Sequence, residues 1–103
     1  MKPRVKEFEV PLTDRVYLLV RIECLRGRIV GFVVLLMKAG EPHVNLARFD
    51  TAHGQPHRDL LGRQSGLLRK DWVEGMTLQD ALKYAMDDLR HNYERYDQIY
   101  EEN

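Results

Sequence analysis

The 103-residue chain holds a single cysteine, Cys24, so neither an internal disulfide framework nor a cysteine-rich zinc module can be built from it. It also lacks net charge. Sixteen Lys and Arg balance sixteen Asp and Glu, which excludes a broad polyanion-binding platform and leaves local clustering as the only source of attraction to nucleic acid or anionic lipid. Long hydrophobic runs are missing too: the longest, Ile29 to Met37, is nine residues, less than half of the roughly 20 that a membrane helix needs. The opening Met1-Lys2-Pro3-Arg4 runs into charged residues with no apolar signal core behind it. With 44% apolar residues and no repeat or low-complexity tract, the expectation is one soluble, cytoplasmic domain spanning 1–103, without membrane contact.

Hydrophobic spacing divides the chain into strands within 4–73 and a helix over about 77–100. From Val16 to Cys24 the even positions are apolar, and Arg21 and Glu23 fall on the other face, the period-two pattern of a strand. After the Arg26-Gly27 turn, Ile29 to Met37 loses its alternation, which predicts a central strand covered on both faces. Ala39-Gly40-Glu41-Pro42 is a second turn, and Val44 to Asp50 returns as a strand. Lys6 to Val10 adds a strand in front and Leu67 to Val73 one behind, with Trp72 and Val73 expected to anchor the latter in the core. The fold class predicted is α+β, an antiparallel meander of about five strands with one long C-terminal helix packed on one face.

Thr77, with Asp80 three residues on, reads as the helix N-cap. Leu78, Leu82, Ala85, Leu89, Tyr93, Tyr96 and Tyr100 then share one stripe. At about 1.5 Å per residue the helix exceeds the roughly 30 Å diameter of a domain this size. Its tyrosine-rich end is therefore expected to overhang and to form a homodimer interface.

Chemistry concentrates in Arg48-Phe49-Asp50-Thr51-Ala52-His53-Gly54-Gln55-Pro56-His57-Arg58-Asp59. Gly54 and Pro56 between the two histidines rule out a helix, so the segment is a loop that leaves one strand and re-enters the sheet at His57 to Asp59. Three readings compete. In an acid/base site, His53 and His57 exchange protons, Asp50 orients one of them, and Arg48 or Arg58 holds a phosphate; such a site could cleave RNA through its 2′-hydroxyl without metal. In a metal site, Asp50, His53, His57 and Asp59 are ligands, against the repulsion of Arg48 and Arg58. In a structural cluster, Arg48 pairs with Asp50 or Asp59 and the histidines bond loop carbonyls.

The core Arg48-Phe49-Asp50-Thr51, then Gly54 and Pro56-His57-Arg58, resembles the arginine, aromatic, aspartate, then glycine and His-Lys/Arg-His pattern of the TumE-like toxins of prokaryotic toxin–antitoxin modules. It is also similar to a group of small prokaryotic proteins sharing an R-F/Y-D-T-x-H-G-x-x-H core, a late tryptophan and a long terminal helix. The resemblance to the toxins carries Arg48, Asp50 and His57 over as site residues; His53 matches only the second group, and Asp59 stands where the toxin pattern has a second histidine. The resemblance implies a protein that cleaves or binds RNA, with RNA or an antitoxin protein as partner. The reading adopted has His53, His57, Arg48 and Asp50 as catalytic residues and Arg58 and Asp59 as binding residues, with no metal and no cofactor. The alternative is a non-catalytic homodimeric interaction domain whose polar loop is structural.

Overall fold

The computed structural model describes residues 1–103 apart from the side chain of His53. Six strands follow in chain order, β1 (Arg4–Pro11), β2 (Val16–Leu25), β3 (Arg28–Lys38), β4 (Val44–Asp50), β5 (His57–Gly62) and β6 (Gly66–Trp72), before the helix α1 (Leu78–Glu102). The sheet is a plain antiparallel meander, β1-β2-β3-β4-β5-β6. The sixth strand is the re-entry at His57, which pairs on both sides and so forms a full strand. Each connection is local. Arg26 and Gly27, both at positive φ (52° and 78°), close the β2–β3 hairpin, the geometry whose twist matches that of its flanking strands.

One face of the sheet is covered by α1. Val16, Leu18 and Val20 of β2, Phe32, Val34 and Leu36 of β3, and Phe49 of β4 pack there with Ala81, Leu82, Ala85, Leu89 and Tyr96 of the helix. Thr77 caps the helix, its Oγ1 accepting from the Asp80 amide at 3.1 Å. Among the described residues, no helix is long and apolar enough to cross a membrane.

Three expectations are corrected. The helix does not overhang: the domain measures 42 × 27 × 22 Å, and a 25-residue helix of about 37 Å lies along β3, whose 11 residues span about 36 Å. A sphere was the wrong yardstick for a sheet with strands this long. The C-terminal turn is tied down by the β5–β6 turn, where Arg63 N–H donates to Tyr100 O at 2.9 Å and Ser65 N–H to Asn103 O at 2.9 Å, satisfying carbonyls that a helix end leaves open. Lys38 adds ion pairs to Asp97 (2.6 Å) and Glu101 (3.0 Å). Gly62 permits this docking, because a Cβ there would stand 2.9 Å from Asn103 O. Second, β3 is covered on one face only: among the described residues, no second layer lies over Val33, Leu35 and Met37, which stay half-buried. Third, Trp72 is not in the core. It is 52% exposed, and Val73 alone packs against the apolar cluster.

Candidate functional site

Cross-strand register assembles the site. On the face that α1 leaves open, Asp50 pairs with His57 and His57 with Trp72 in one row; Arg48 pairs with Asp59 and Asp59 with Lys70 in the next. Side chains directly opposite one another on an antiparallel pair lie close enough to interact, so two rows across three strands bring six functional side chains together. The odd–even alternation of strands sends Arg58 to the other face.

Asp59 is the centre of this patch and is wholly buried. Arg48 donates from Nε to Asp59 Oδ2 at 2.8 Å. Lys70 Nζ stands 3.1 Å from Oδ1, off the line that a hydrogen bond needs, so Oδ1 receives no aligned donor. Burial works against ionisation of this carboxyl, but its bond with Arg48, the ionic contact with Lys70 and the Arg48 charge outweigh that and hold it below the ordinary carboxylate range. His57, 3% exposed as a side chain, places Nε2 3.1 Å from Asp50 Oδ1 and 3.7 Å from Asp59 Oδ2. Its Nδ1 faces Gln55 O at 3.4 Å. Both ring nitrogens thus face acceptor oxygens of the protein. Trp72 stands edge-on to the imidazole with centroids 5.3 Å apart, and Lys70 Nζ lies 5.9 Å from the indole centroid.

The loop between β4 and β5 is equally determined. Thr51 extends the β4–β3 pairing, donating its N–H to Phe32 O at 3.1 Å and accepting Phe32 N–H on Oγ1 at 2.9 Å. Asp50 Oδ1 accepts the Ala52 amide at 2.9 Å, and a short 3-10 turn, Ala52–Gly54, follows. His53 sits in this turn, and its side chain lies outside the described residues. The Arg48–Asp59 pair of the structural reading is present, and the expected direct role of Asp59 in binding is corrected: the carboxylate is buried behind Arg48, Lys70 and His57.

Arg58 is the second correction. It sits on the helix side, where it donates to Asp71 Oδ2 from Nη2 at 2.7 Å and to the Tyr96 hydroxyl from Nη1 at 3.0 Å, with Asp88 Oδ2 3.6 Å away. Tyr96 in turn donates to Asp88. Burial and then the bond to Asp88 raise the Tyr96 pKa well above its ordinary value. Arg58 cannot share a ligand contact with Arg48 through an intact sheet.

Asp50, His57 and Asp59 offer three donor atoms within 4.8 Å of one another, a spacing a transition metal can bridge. Arg48 and Lys70 already neutralise the carboxylates there, so the donor set is matched in charge without a cation. The residues that sequence reasoning did not place in the site are Trp72, assigned to the core, and Lys70, which fell within the last strand without a role.

Fold and site together define a small α+β protein with one covered and one open sheet face, the open face carrying a buried carboxylate–imidazole cluster under exposed cations and an exposed indole. Residues 3–103 match the family described as a domain of unknown function (DUF7718), and the chain belongs to that family. No match is found among curated proteins or among solved structures.

Proposed function

We propose that the open face at β4–β6 binds single-stranded RNA, with Trp72 stacking on a base and Arg48 and Lys70 meeting the phosphates. The observation that carries this reading is the vertical ordering of charge. The Arg48 and Lys70 side chains are 40% and 36% exposed, whereas Asp50 is 17% and Asp59 0% exposed. A polyanion approaching this face therefore meets cations, with their counter-charges held beneath. An exposed indole beside them supplies the sequence-tolerant stacking surface that single-stranded nucleic acid uses. The patch as a whole is balanced in charge, so what favours a polyanion is that its cations are the outer layer. Of the exposed glutamates on the neighbouring strands, Glu7 pairs with Arg21, and Glu23 reaches past Gly31 to line a shallow pocket with Asp50 and Thr51.

Cleavage in the manner of a toxin needs an imidazole nitrogen free to take a 2′-hydroxyl proton. Both nitrogens of His57 face Asp50, Asp59 and Gln55, which favours binding over cleavage. The same observation supports a second reading, in which the cluster only fastens β4, β5 and β6 together within an interaction domain.

Binding of a labelled single-stranded RNA at low and rising salt separates these. RNA binding predicts weakening in Lys70→Ala and Trp72→Ala, and a log–log salt slope of about −1.4 for two phosphate contacts. No binding at low salt to any single-stranded RNA supports the fastening role instead. RNA shortened by the wild type and left intact by His57→Ala restores the catalytic role of His57.

A further inference from the structure

On the opposite side of the sheet, α1 and the β5–β6 strands enclose a cleft of about 230 Å3 lined by Arg58, Arg69, Arg95, Asn92 and Tyr96, with Asp88 as its one carboxylate. We propose that this cleft is a binding site for a phosphate group, held by the guanidinium forks of Arg69 and Arg95 against Arg58. The inference is independent of RNA binding on the open face, from which the sheet separates it.

The donors are free in the right places. Arg69 uses Nε on Asp71 at 2.9 Å, and its two terminal amino groups make no hydrogen bond among the described residues. No carboxylate among the described residues lies within 4.0 Å of Arg95. Terminal N–H pairs of arginine match the spacing of phosphate oxygens and bind them bidentately. Arg58 is fixed beneath them by Asp71 and Tyr96, so it adds a charge that needs no ordering when the ligand arrives.

The single carboxylate is already engaged. Asp88 accepts from Tyr96 and, at 3.1 Å, from Asn92 Nδ2, and Arg58 stands at 3.6 Å. Counting Asp71, which pairs with Arg58 and Arg69, three guanidinium groups stand against two carboxylates, both already engaged, and the site stays positive by one charge. The backbone at Asn92 departs from helical geometry (φ −119°, ψ 16°) where its side chain turns back to Asp88. At about 230 Å3 the cleft is smaller than the roughly 300–1,000 Å3 of pockets that enclose whole organic ligands. It suits the phosphate alone, either as the free ion or as the terminal group of a larger molecule lying outside.

Thermal unfolding and calorimetric titration with inorganic phosphate, against sodium chloride at matched ionic strength, test the site. Phosphate should raise Tm saturably where chloride does not. Arg95→Gln, which breaks no ion pair of the fold, should weaken binding by about tenfold, the order of one charge-assisted hydrogen bond, as should Arg69→Gln. Trp72→Phe should leave phosphate affinity unchanged. Adenosine 5′-monophosphate and adenosine separate the sources: the nucleotide binding as phosphate does, with adenosine inert, assigns a terminal phosphate, and inorganic phosphate alone binding assigns the free ion. An equal response to chloride, or unaltered affinity in both arginine variants, overturns the proposal.

Discussion

Asp59→Asn removes one negative charge from the centre of the open-face cluster while preserving its volume. The substitution deletes the charged bond to Arg48 at 2.8 Å and the ionic contact with Lys70 at 3.1 Å. Breaking a fully buried ion pair costs about 3–5 kcal/mol, because the abandoned partner stays desolvated. Here the partners reach solvent, and each can turn outward, so the loss falls to about 2–3 kcal/mol, set by the charge-assisted bonds themselves. For a domain of this size that lowers Tm by roughly 10–20 °C and leaves a folded protein, since small domains hold about 5–15 kcal/mol. Urea and thermal unfolding followed by circular dichroism measure it. A double-mutant cycle with Arg48→Ala should return a coupling of about 1 kcal/mol or more. A loss under about 0.5 kcal/mol, the level of an ordinary surface change, would refute the reasoning that Asp59 is an ionised, paired group at the heart of this face.

Two further predictions follow from the same geometry. Asp59 and Asp71 have folded-state pKa values below the ordinary carboxylate value, Asp59 through Arg48 and Lys70 against the effect of burial and Asp71 first through its bond to Arg58. A depressed folded value contributes stability that is present above the unfolded pKa of about 3.9 and is lost as pH falls through the folded one. Urea midpoints should thus drop below about pH 4 in the wild type and drop less in Asp59→Asn; a rise on acidification contradicts the assignment. Gly62→Ala would press a methyl against Asn103 O, 2.9 Å from the position of its Cβ. It should cost about 1–3 kcal/mol and accelerate amide exchange at Arg63 and Ser65, where unchanged exchange would show the helix end is not held there.

The α+β class, the meander and the helix were legible because β2 alternates cleanly and α1 carries its cap and stripe. Their extents relative to one another were not: helix and strand lengths are each readable, but whether they run alongside one another is a packing outcome. The candidate loop was found by density of polar side chains, and its partners were not, for a specific reason. Gly62 faces Gly66 and Leu61 faces Leu67, yet Leu60 faces Arg69, so one extra residue is accommodated in β6. Without that bulge, Asp59 and His57 would pair with Arg69 and Asp71; with it they pair with Lys70 and Trp72. A bulge shifts every following side chain to the other face, and nothing in Gly66-Leu67-Leu68 announces it. Alternation alone was enough to separate Arg58 from His57 and Asp59, since adjacent strand residues face opposite ways. Density within a window says nothing about which side of a sheet a residue occupies.

Trp72 is the sole tryptophan, so its emission reports the open face without a label. Titration with a single-stranded oligouridylate at low salt should quench it saturably, and added salt should restore it; Lys70→Ala should shift the curve to higher RNA concentration. Emission unchanged at every RNA concentration, or quenching indifferent to salt and to Lys70, would contradict the account that this face is a stacking and phosphate-binding surface for single-stranded RNA.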